Sequence, residues 1–391
     1  MTVVTGTDPT WLEHVRAGLA NAGARTGTSV DAARVAEVLR AGGRPVGASS
    51  LLTLVDALDR ESSGAGPLDA LLRQPGITDV LVNGAEQVYI DRGRGLEPAD
   101  IAFADDAAVR RLAQRLAAAG GRRLDDASPF VDVRLRDGSR LHVALAPVAS
   151  PGTLLSLRVP ARRVFTLDQL VESGTVPPAG ARVLADLVAS RTAFLVTGGT
   201  GSGKTTLLSC LLSLVPADER IVLVEDSAEL RPDHPHVVGL EARPPNVEGA
   251  GAIGLRDLVR HALRMRPDRL VVGEVRGAEV VDLLAALNTG HEGGCSTVHA
   301  NSVVDVPARL EALAATAGMG RDAVHAQVVA GLRVVVHLHR LGGQHRLAQV
   351  GVLTRADGGV VCRPALRVDS GRLLTGSAAT ELERLLYGVP P

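Results

Sequence analysis

Residues 196–207, with the sequence VTGGTGSGKTTL, have the residue types and spacing of a site for phosphate groups. They include Lys204, the only lysine among the 42 basic residues of this 391-residue chain. A compact ammonium group can reach phosphate oxygens from inside a narrow glycine-rich loop, whereas a guanidinium group is larger, planar and forked. The glycines let backbone amides turn toward the phosphates, and a hydroxyl after the lysine can bind Mg²⁺. The expected nucleotide-binding residues of this loop are Gly199, Thr200, Gly201, Ser202, Gly203, Lys204, Thr205 and Thr206.

Two aliphatic runs further along the chain end in carboxylates. In IVLVEDSAEL (221–230), Glu229 is expected to orient a water molecule in line with the γ-phosphate, with Glu225 as an alternative. Acidic residues also favour the first turn of a helix, so a cluster with no catalytic role is equally compatible with this stretch. In RLVVGE (269–274), Glu274 is expected to bind Mg²⁺ directly or through water. Gly273 stands where many proteins with a phosphate-binding loop have aspartate.

Histidine and arginine provide further candidates. NTGHEGGCSTVHANS (288–302) places His291 and His299 around a glycine turn and a short strand, although a lone histidine is more often structural. Arg260 and Arg264 are four residues apart, which predicts one face of a helix. Such a face is solvated by default. Arginine's forked guanidinium nevertheless suits the charge on a γ-phosphate, often from a neighbouring subunit.

The elements that must position these residues alternate along the second half of the chain. From about residue 181 the pattern predicts strands at AFLVT, IVLVE, LVVGE and CSTVHA, and helices near 181–190, 205–214, 254–265 and 278–288. Short aliphatic strands that alternate with helices predict a mainly parallel sheet covered on both faces. Further strands are expected near 333–339, 347–353 and 359–363. The prediction is an α/β, RecA-like P-loop ATPase domain over residues 181–391.

The first half of the chain differs from the second half in composition and in the spacing of its hydrophobic residues. Residues 1–65 are rich in alanine, leucine and arginine at helical spacing, which predicts an N-terminal helical segment. Residues 66–160 contain short β-rich runs separated by Asn-Gly and Arg-Gly turns, around one helix near 109–116. They predict a smaller α+β domain. Residues 161–180 are expected to be a linker.

Composition narrows the class of protein. Hydrophobic residues make up 46% of the chain but aromatic residues only 2%, so surfaces on which nucleic-acid bases could stack are scarce. The formal net charge of −1 also argues against non-specific electrostatic binding of nucleic acid. No direct nucleic-acid partner is expected. The chain opens without an apolar signal sequence, and no apolar run reaches the ~18 residues of a membrane span. The three cysteines are far apart, which excludes a four-cysteine zinc site. A cytoplasmic protein without zinc is expected.

Four stretches in this order resemble the Walker A, Asp box, Walker B and His box of the secretion ATPases, which power type II secretion, type IV pili, archaeal flagella and conjugation-type secretion. They are GGTGSGKTT, EDSAEL, RMRPDRLVVGEVRGAEV and NTGHEGGCSTVHANS. Upstream, GITDVLVNG, SPFVDVRLRDGSRLHV and LSLR resemble the nucleotide-covering domain of one branch, the TadA/CpaF ATPases of tight-adherence (Flp) pili. The resemblance extends from about Pro67 to about Val350.

The resemblance implies a function for the residues that match these boxes. Lys204 and Thr205 would bind phosphate and Mg²⁺, Glu229 would orient the water, Glu274 would act as the Walker B acid, and His299 would relay the nucleotide state.

It also implies roles for arginines and for partners. Arg140 and Arg158 would reach the nucleotide from the N-terminal domain, and Arg260 and Arg264 would be arginine fingers. Members of the superfamily are ring-shaped homohexamers that bind ATP with Mg²⁺ between the two domains of a subunit. They dock on inner-membrane platform proteins from the cytoplasmic side, so a peripheral association with the membrane through partners is implied.

Other functions remain open at this stage. VirB-type conjugation ATPases, which export DNA or protein, share the four boxes. A nucleotide-gated scaffold without efficient hydrolysis is also possible, although Glu229 and Glu274 beside a complete phosphate loop argue against it.

Overall fold

The computed structural model describes residues 64–388, except for Arg94, Arg136, residues 161–163, residues 247–248, His291 and Asp357, and it also describes Ala36 and Leu39. The helical segment predicted for residues 1–65 therefore lies almost entirely outside the described residues. The chain divides into two compact units, Met1–Pro160 and Ala161–Pro391. In the described part of both units, no helix is both long enough and apolar enough to cross a bilayer.

The first unit is built on an antiparallel sheet. Its described strands are β1 (Asp79–Asn83), β2 (Gln87–Asp91), β3 (Leu96–Pro98), β4 (Phe130–Arg134), β5 (Arg140–Ala144) and β6 (Leu154–Arg158), in the order β3-β2-β1-β6-β5-β4. The helices are a 3₁₀ turn at Gly66–Leu68, α1 (Asp69–Leu72) and α2 (Asp106–Ala119). All of these strands except the exposed edge strand β3 alternate buried and more exposed residues, as in a sheet with one covered face. The buried face packs with α2, whose first turn is capped by the Asp105 carboxylate at 2.7 Å from the Ala108 amide nitrogen.

The second unit is built on a mixed sheet. Its described strands are β7 (Phe194–Thr197), β8 (Ile221–Glu225), β9 (Val237–Glu241), β10 (Arg269–Val275), β11 (Cys295–Val298), β12 (Val334–Leu341), β13 (Gln344–Ala356), β14 (Gly359–Asp369) and β15 (Arg372–Thr375). They lie in the order β15-β14-β13-β12-β7-β11-β10-β8-β9. The pairs from β12 to β9 are parallel, and those from β12 to β15 are antiparallel.

Helices cover both faces of this sheet. They are α3 (Leu167–Glu172), α4 (Pro178–Ala189), α5 (Lys204–Leu212), α6 (Leu255–Ala262), α7 (Glu279–Leu287), α8 (Val306–Ala315), α9 (Arg321–Gly331) and α10 (Ala379–Tyr387). Along β8, Ile221 and Leu223 belong to a cluster with α4 and α5, whereas Val222 and Val224 belong to a cluster with α6 to α9. Side chains alternate across a strand, so a strand buried on both faces needs an uninterrupted aliphatic run. The prediction of a mixed α/β fold is confirmed.

Several elements of this unit were not predicted, among them β15 and the helices α8, α9 and α10. The edge strand β9 was not predicted, because its half-exposed residues lack the aliphatic run of the central strands. The helix predicted at 254–265 is α-helical only as far as Ala262. It continues as a 3₁₀ turn, Leu263–Met265. The described part of the segment predicted as a linker contains α3, and Leu170 and Val176 are buried in the core of this unit.

Candidate active site

The glycine-rich loop connects β7 to α5 and has little room for side chains. Gly198, Gly201 and Gly203 have φ of 149°, 66° and 92°, values that favour glycine. A Cβ at Gly198 would also lie 2.3 Å from the carbonyl oxygen of Leu338 on β12. The loop therefore requires these glycines in order to turn its backbone toward the start of α5. Ser202 is buried, whereas Gly199, Thr200 and Gly201 are exposed and Thr205 and Thr206 are half-buried on the first turn of α5.

Lys204 begins α5 and folds its side chain back into the loop. Only 8% of the residue is exposed, and its Nζ donates to the carbonyl oxygens of Gly198 and Gly199, each at 3.0 Å. Burial lowers the pKa of the Lys204 amine, and the negative charges of Glu274 and Glu229 oppose that shift. The amine thus lies at the positive end of α5 with backbone acceptors that phosphate oxygens could replace.

Glu274 and His299 connect Lys204 to the neighbouring strands. Glu274 lies on β10 and His299 directly follows β11, so the parallel register brings both beside the glycine-rich loop. His299 Nε2 is 2.7 Å from Glu274 Oε1 and 3.4 Å from Lys204 Nζ. Burial, followed by the charge of Lys204, lowers the pKa of His299, so the ring is neutral at neutral pH. Since Nε2 of a neutral ring can accept a hydrogen bond, Lys204 Nζ donates to His299 Nε2, whereas no hydrogen bond from a described residue reaches Glu274 Oε1.

Arg276 is a site residue that the sequence motifs did not single out. Its Nε donates to Glu274 Oε2 at 2.8 Å, and its terminal nitrogen Nη2 also contacts that oxygen. Glu274 therefore has an arginine on one carboxylate oxygen and a histidine on the other. The only signal in the sequence was the two-residue spacing from Glu274, which suffices for contact just beyond the end of a strand.

Glu225 and Glu229, which sequence reasoning left as alternatives, occupy different environments. Glu225 is 5% exposed at the end of β8, and its Oε1 accepts from the backbone N–H groups of Glu229 and Leu230, each at 3.0 Å. Burial raises the pKa of Glu225 to about 7, although these hydrogen bonds oppose the shift. Glu229 is half-buried, and its charge acts on both Lys204 and Arg276. Glu225 thus anchors the loop that carries Glu229.

Packing between β10 and β8 explains why the residue before Glu274 is a glycine. Gly273 lies on β10 next to β8, and a Cβ there would lie 2.7 Å from Glu225 Cγ and 3.1 Å from Glu225 Oε1. Its carbonyl oxygen accepts from the hydroxyl of Thr297 on β11 at 2.8 Å. Aspartate cannot occupy position 273 while Glu225 keeps this conformation. The acid of the motif is therefore one residue later, at Glu274.

The two candidate arginine fingers are placed differently. Arg260 lines a cleft of about 560 Å³ together with Asp226, Arg256 and Arg276. Asp282 on α7 accepts from Arg256 Nε at 2.6 Å and from Arg260 Nε at 3.0 Å.

Arg264 belongs instead to the 3₁₀ turn after α6 and is exposed. The α-helix predicted over 254–265 ends at Ala262, so Arg260 lies on α6 and Arg264 on the 3₁₀ turn that follows it.

Arg140 and Arg158 lie together in the first unit. They are directly opposite each other on β5 and β6, and Arg134 on β4 is opposite Arg140. Arg158 Nε is 3.1 Å from Asp79 Oδ1. The three arginines form a row across the neighbouring ends of β4, β5 and β6.

The donor groups of the site suit Mg²⁺ that is bound together with a nucleotide. Thr205 offers a hydroxyl and Glu274 a carboxylate, which are oxygen ligands of the type that Mg²⁺ prefers. Within the described ranges, no group of three or more histidine, cysteine, aspartate or glutamate side chains is arranged to hold a metal ion. Mg²⁺ commonly keeps several waters and shares phosphate oxygens, so it needs no such cage.

The chain is similar in sequence to a family of secretion proteins and to individual relatives. The sequence model of the family described as "Type II/IV secretion system protein" matches residues 61–375. A protein of Mycobacterium tuberculosis, provisionally named as a conjugal transfer protein, is 53% identical over 346 residues, which cover 87% of this chain and 98% of the relative. The conjugal transfer protein TrbB of Rhizobium radiobacter is 30% identical over 278 residues, 70% of this chain and 83% of the relative.

Among solved structures, the ATPase DotB of Yersinia pseudotuberculosis aligns with a TM-score of 0.51 at 17% identity. The alignment covers 85% of this chain and 82% of DotB. At this identity the likeness concerns the fold alone.

Proposed function

Because the chain belongs to the type II/IV secretion system protein family, we propose that it is a secretion ATPase that hydrolyses ATP to ADP and phosphate. The observation that carries this proposal is the convergence of Lys204, His299 and Glu274. Their nitrogen and oxygen atoms form a chain with distances of 3.4 and 2.7 Å at the glycine-rich loop. A phosphate-binding amine next to carboxylates is what positioning and electrostatic stabilisation of phosphoryl transfer require.

Each residue has a distinct role in the proposed reaction. The phosphates of ATP replace the carbonyl oxygens of Gly198 and Gly199 as acceptors for Lys204. Glu229, whose backbone is anchored by Glu225, orients the attacking water. His299 Nε2 lies between Lys204 Nζ and Glu274 Oε1, so a change in the contacts of Lys204 when nucleotide binds is passed through His299 to β10.

Mg²⁺ would be held by Thr205 and Glu274 together with the nucleotide, and it would neutralise charge on the phosphates. The remaining loop residues would bind phosphate mainly through backbone amides, because their glycines allow the close approach. Arg140 and Arg158 would add positive charge from the first unit.

The direct test is hydrolysis of Mg-ATP by the purified chain, with Lys204→Ala as the inactive variant and Gly239→Ala as a matched control. Gly239 lies on the edge strand β9, where an added Cβ meets nothing within 4 Å. We expect turnover in the wild type and the control and none in Lys204→Ala. Binding of ATP without turnover in the wild type would instead identify a nucleotide-gated scaffold.

The proposed working form is a homohexamer in which Arg260 or Arg264 acts on the nucleotide of a neighbouring subunit. Arginine fingers supplied in trans stabilise charge in the transition state. Activity should then rise steeply with protein concentration. Doping Arg264→Ala or Arg260→Ala subunits into wild-type rings should inhibit by more than their mole fraction. Subunits with Arg363→Ala, an exposed position on β14, should not. A concentration-independent monomeric ATPase would contradict the ring.

The proposed process is assembly of a tight-adherence (Flp, type IVb-like) pilus, in which the ring docks on inner-membrane platform proteins from the cytoplasm. The stretches GITDVLVNG, SPFVDVRLRDGSRLHV and LSLR support this branch, because they resemble the TadA/CpaF ATPases.

A second candidate is export of DNA or protein by a conjugation-type system, which the names of the two relatives favour. A deletion strain complemented with wild type or Lys204→Ala separates the two processes. Loss of surface pili with normal DNA transfer supports pilus assembly. The opposite result supports conjugation.

A further inference from the structure

The hairpin formed by β12 and β13 extends over the glycine-rich loop. β12 pairs with β7 from Val334 to His337 and then continues past the end of β7 to Leu341. Cβ atoms at Gly198, Gly201 and Gly203 would meet Leu338 at 2.3 Å, Arg340 at 3.5 Å and His345 at 3.5 Å, respectively. One hairpin thus follows the loop along most of its length.

The charged side chains at the tip of this hairpin are all basic. Residues 338–347, LHRLGGQHRL, contain two arginines and two histidines and no acidic residue. Arg340 Nη1 lies against Gly201, and Lys204 and the N-terminus of α5 are in the same loop. An anion bound in the loop would interact favourably with Arg340, with Lys204 and with the N-terminus of α5.

The carboxylates of the site lie on the other side of the loop. In the sheet, β12 is on one side of β7, whereas β11, β10 and β8, which carry or precede His299, Glu274 and Glu229, are on the opposite side. Arg340 is therefore placed to approach the phosphates from the side opposite to Glu274 and Glu229. Its guanidinium can offer several N–H groups to phosphate oxygens.

We propose that Arg340 is a phosphate-binding residue, and that the β12–β13 hairpin, with His345 packed on Gly203, forms the outer wall of the nucleotide pocket. The inference rests on the proposed function, since it assigns a further contact to the same nucleoside triphosphate. The side chain of Arg340 is exposed, so it can adjust when the anion binds.

The test compares Arg340→Gln and Arg340→Lys with Arg346→Gln as the matched control. Arg346 is exposed on the same hairpin, opposite His339, and hydrogen-bonds Gln344 at 2.5 Å. Affinities for Mg-ATP, ADP and pyrophosphate are measured by displacement of a fluorescent nucleotide. We expect Arg340→Gln to weaken all three at least about tenfold, as for loss of one hydrogen bond between charged groups. Arg340→Lys should lose less and Arg346→Gln less than about twofold.

Several results would overturn the inference. If Arg340→Gln and the wild type had equal affinities, Arg340 would make no contact with the phosphates. Equal losses in Arg340→Gln and Arg346→Gln would indicate the general field of the hairpin. A loss for nucleotides but not for pyrophosphate would place Arg340 against the base or sugar. In these three cases wild-type binding leaves the proposed function standing, whereas a wild type that binds neither nucleotide nor pyrophosphate refutes both.

Discussion

Substitution of Gly273 by alanine tests whether packing between β10 and β8 holds the loop that carries Glu229. The new Cβ would lie 2.7 Å from Glu225 Cγ and 3.1 Å from its Oε1, so the Glu225 side chain must move. That oxygen accepts the backbone N–H groups of Glu229 and Leu230, each at 3.0 Å. The substitution therefore acts on Glu229 through the displaced Glu225.

The size of the effect follows from two contributions. Overpacking of a buried site costs about 1–3 kcal/mol. Each hydrogen bond to a charged acceptor contributes about 1.5–3 kcal/mol, but a tilted carboxylate can keep one of the two. Since these contributions are not additive, we expect Gly273→Ala to lower the free energy of unfolding by roughly 2–4 kcal/mol. Misplacement of Glu229 should lower ATP turnover by up to about 10²-fold, while nucleotide binding persists.

Denaturant unfolding, nucleotide binding and ATP turnover measure these effects. Gly239→Ala is the matched control, because an added Cβ there meets nothing within 4 Å, and its stability should stay within about 0.5 kcal/mol of wild type. In a Glu225→Ala background the added methyl group has room, so the cost of Gly273→Ala should largely disappear. If Gly273→Ala matches Gly239→Ala in stability and turnover, Glu225 does not hold the loop as described.

Three further predictions concern the same site. Glu229→Gln should still bind Mg-ATP while turnover falls about 10²-fold or more; turnover within a few-fold of wild type, with binding intact, would move the base to Glu225 or Glu274. Mild reductive methylation near pH 9 has Lys204 and the N-terminal amine as its targets, and it should inactivate in proportion to modification of Lys204 unless Mg-ATP protects; full activity with Lys204 modified would contradict its role. Because burial raises the pKa of Glu225 from 4.5 to about 7, the folded chain keeps a proton that the unfolded chain has lost. The contribution of Glu225 to stability should therefore be largest below about pH 4.5, and about 3 kcal/mol of it should be lost as the pH rises to about 7. Glu225→Gln should flatten that slope, and unfolding curves of both proteins across this range check it.

Local sequence signals predicted the parts of the site that depend on residue type and spacing. The glycines of residues 198–203 predicted a loop whose backbone turns toward phosphate, and in the structure Gly198, Gly201 and Gly203 have φ values that favour glycine. The aliphatic runs before Glu225 and Glu274 predicted buried strands, because a strand covered on both faces has no polar alternation. These signals are local, and the elements that they specify are adjacent in the chain.

Contacts between distant segments were not predictable in this way. Arg276 beside Glu274 required the local geometry at the end of β10, and the reason for Gly273 required knowledge that β8 is the neighbour of β10. The approach of Arg340 and His345 to the glycine-rich loop depends on β12 lying next to β7, although paired residues of these strands are 140 positions apart in sequence. The interruption between Arg260 and Arg264 depended on where α6 ends.

The sequence by itself determined which groups can do chemistry, because a single lysine within a glycine-rich loop and two strand-ending acids restrict where phosphate can bind. It also determined the class of fold, since the period of its hydrophobic residues specifies strands and helices one at a time. Only the tertiary structure decided which carboxylate lies near Lys204, which one anchors a loop, and which arginine lies against the glycine-rich loop. The order of strands in a sheet arises from packing between segments far apart in the chain, and no local pattern records it.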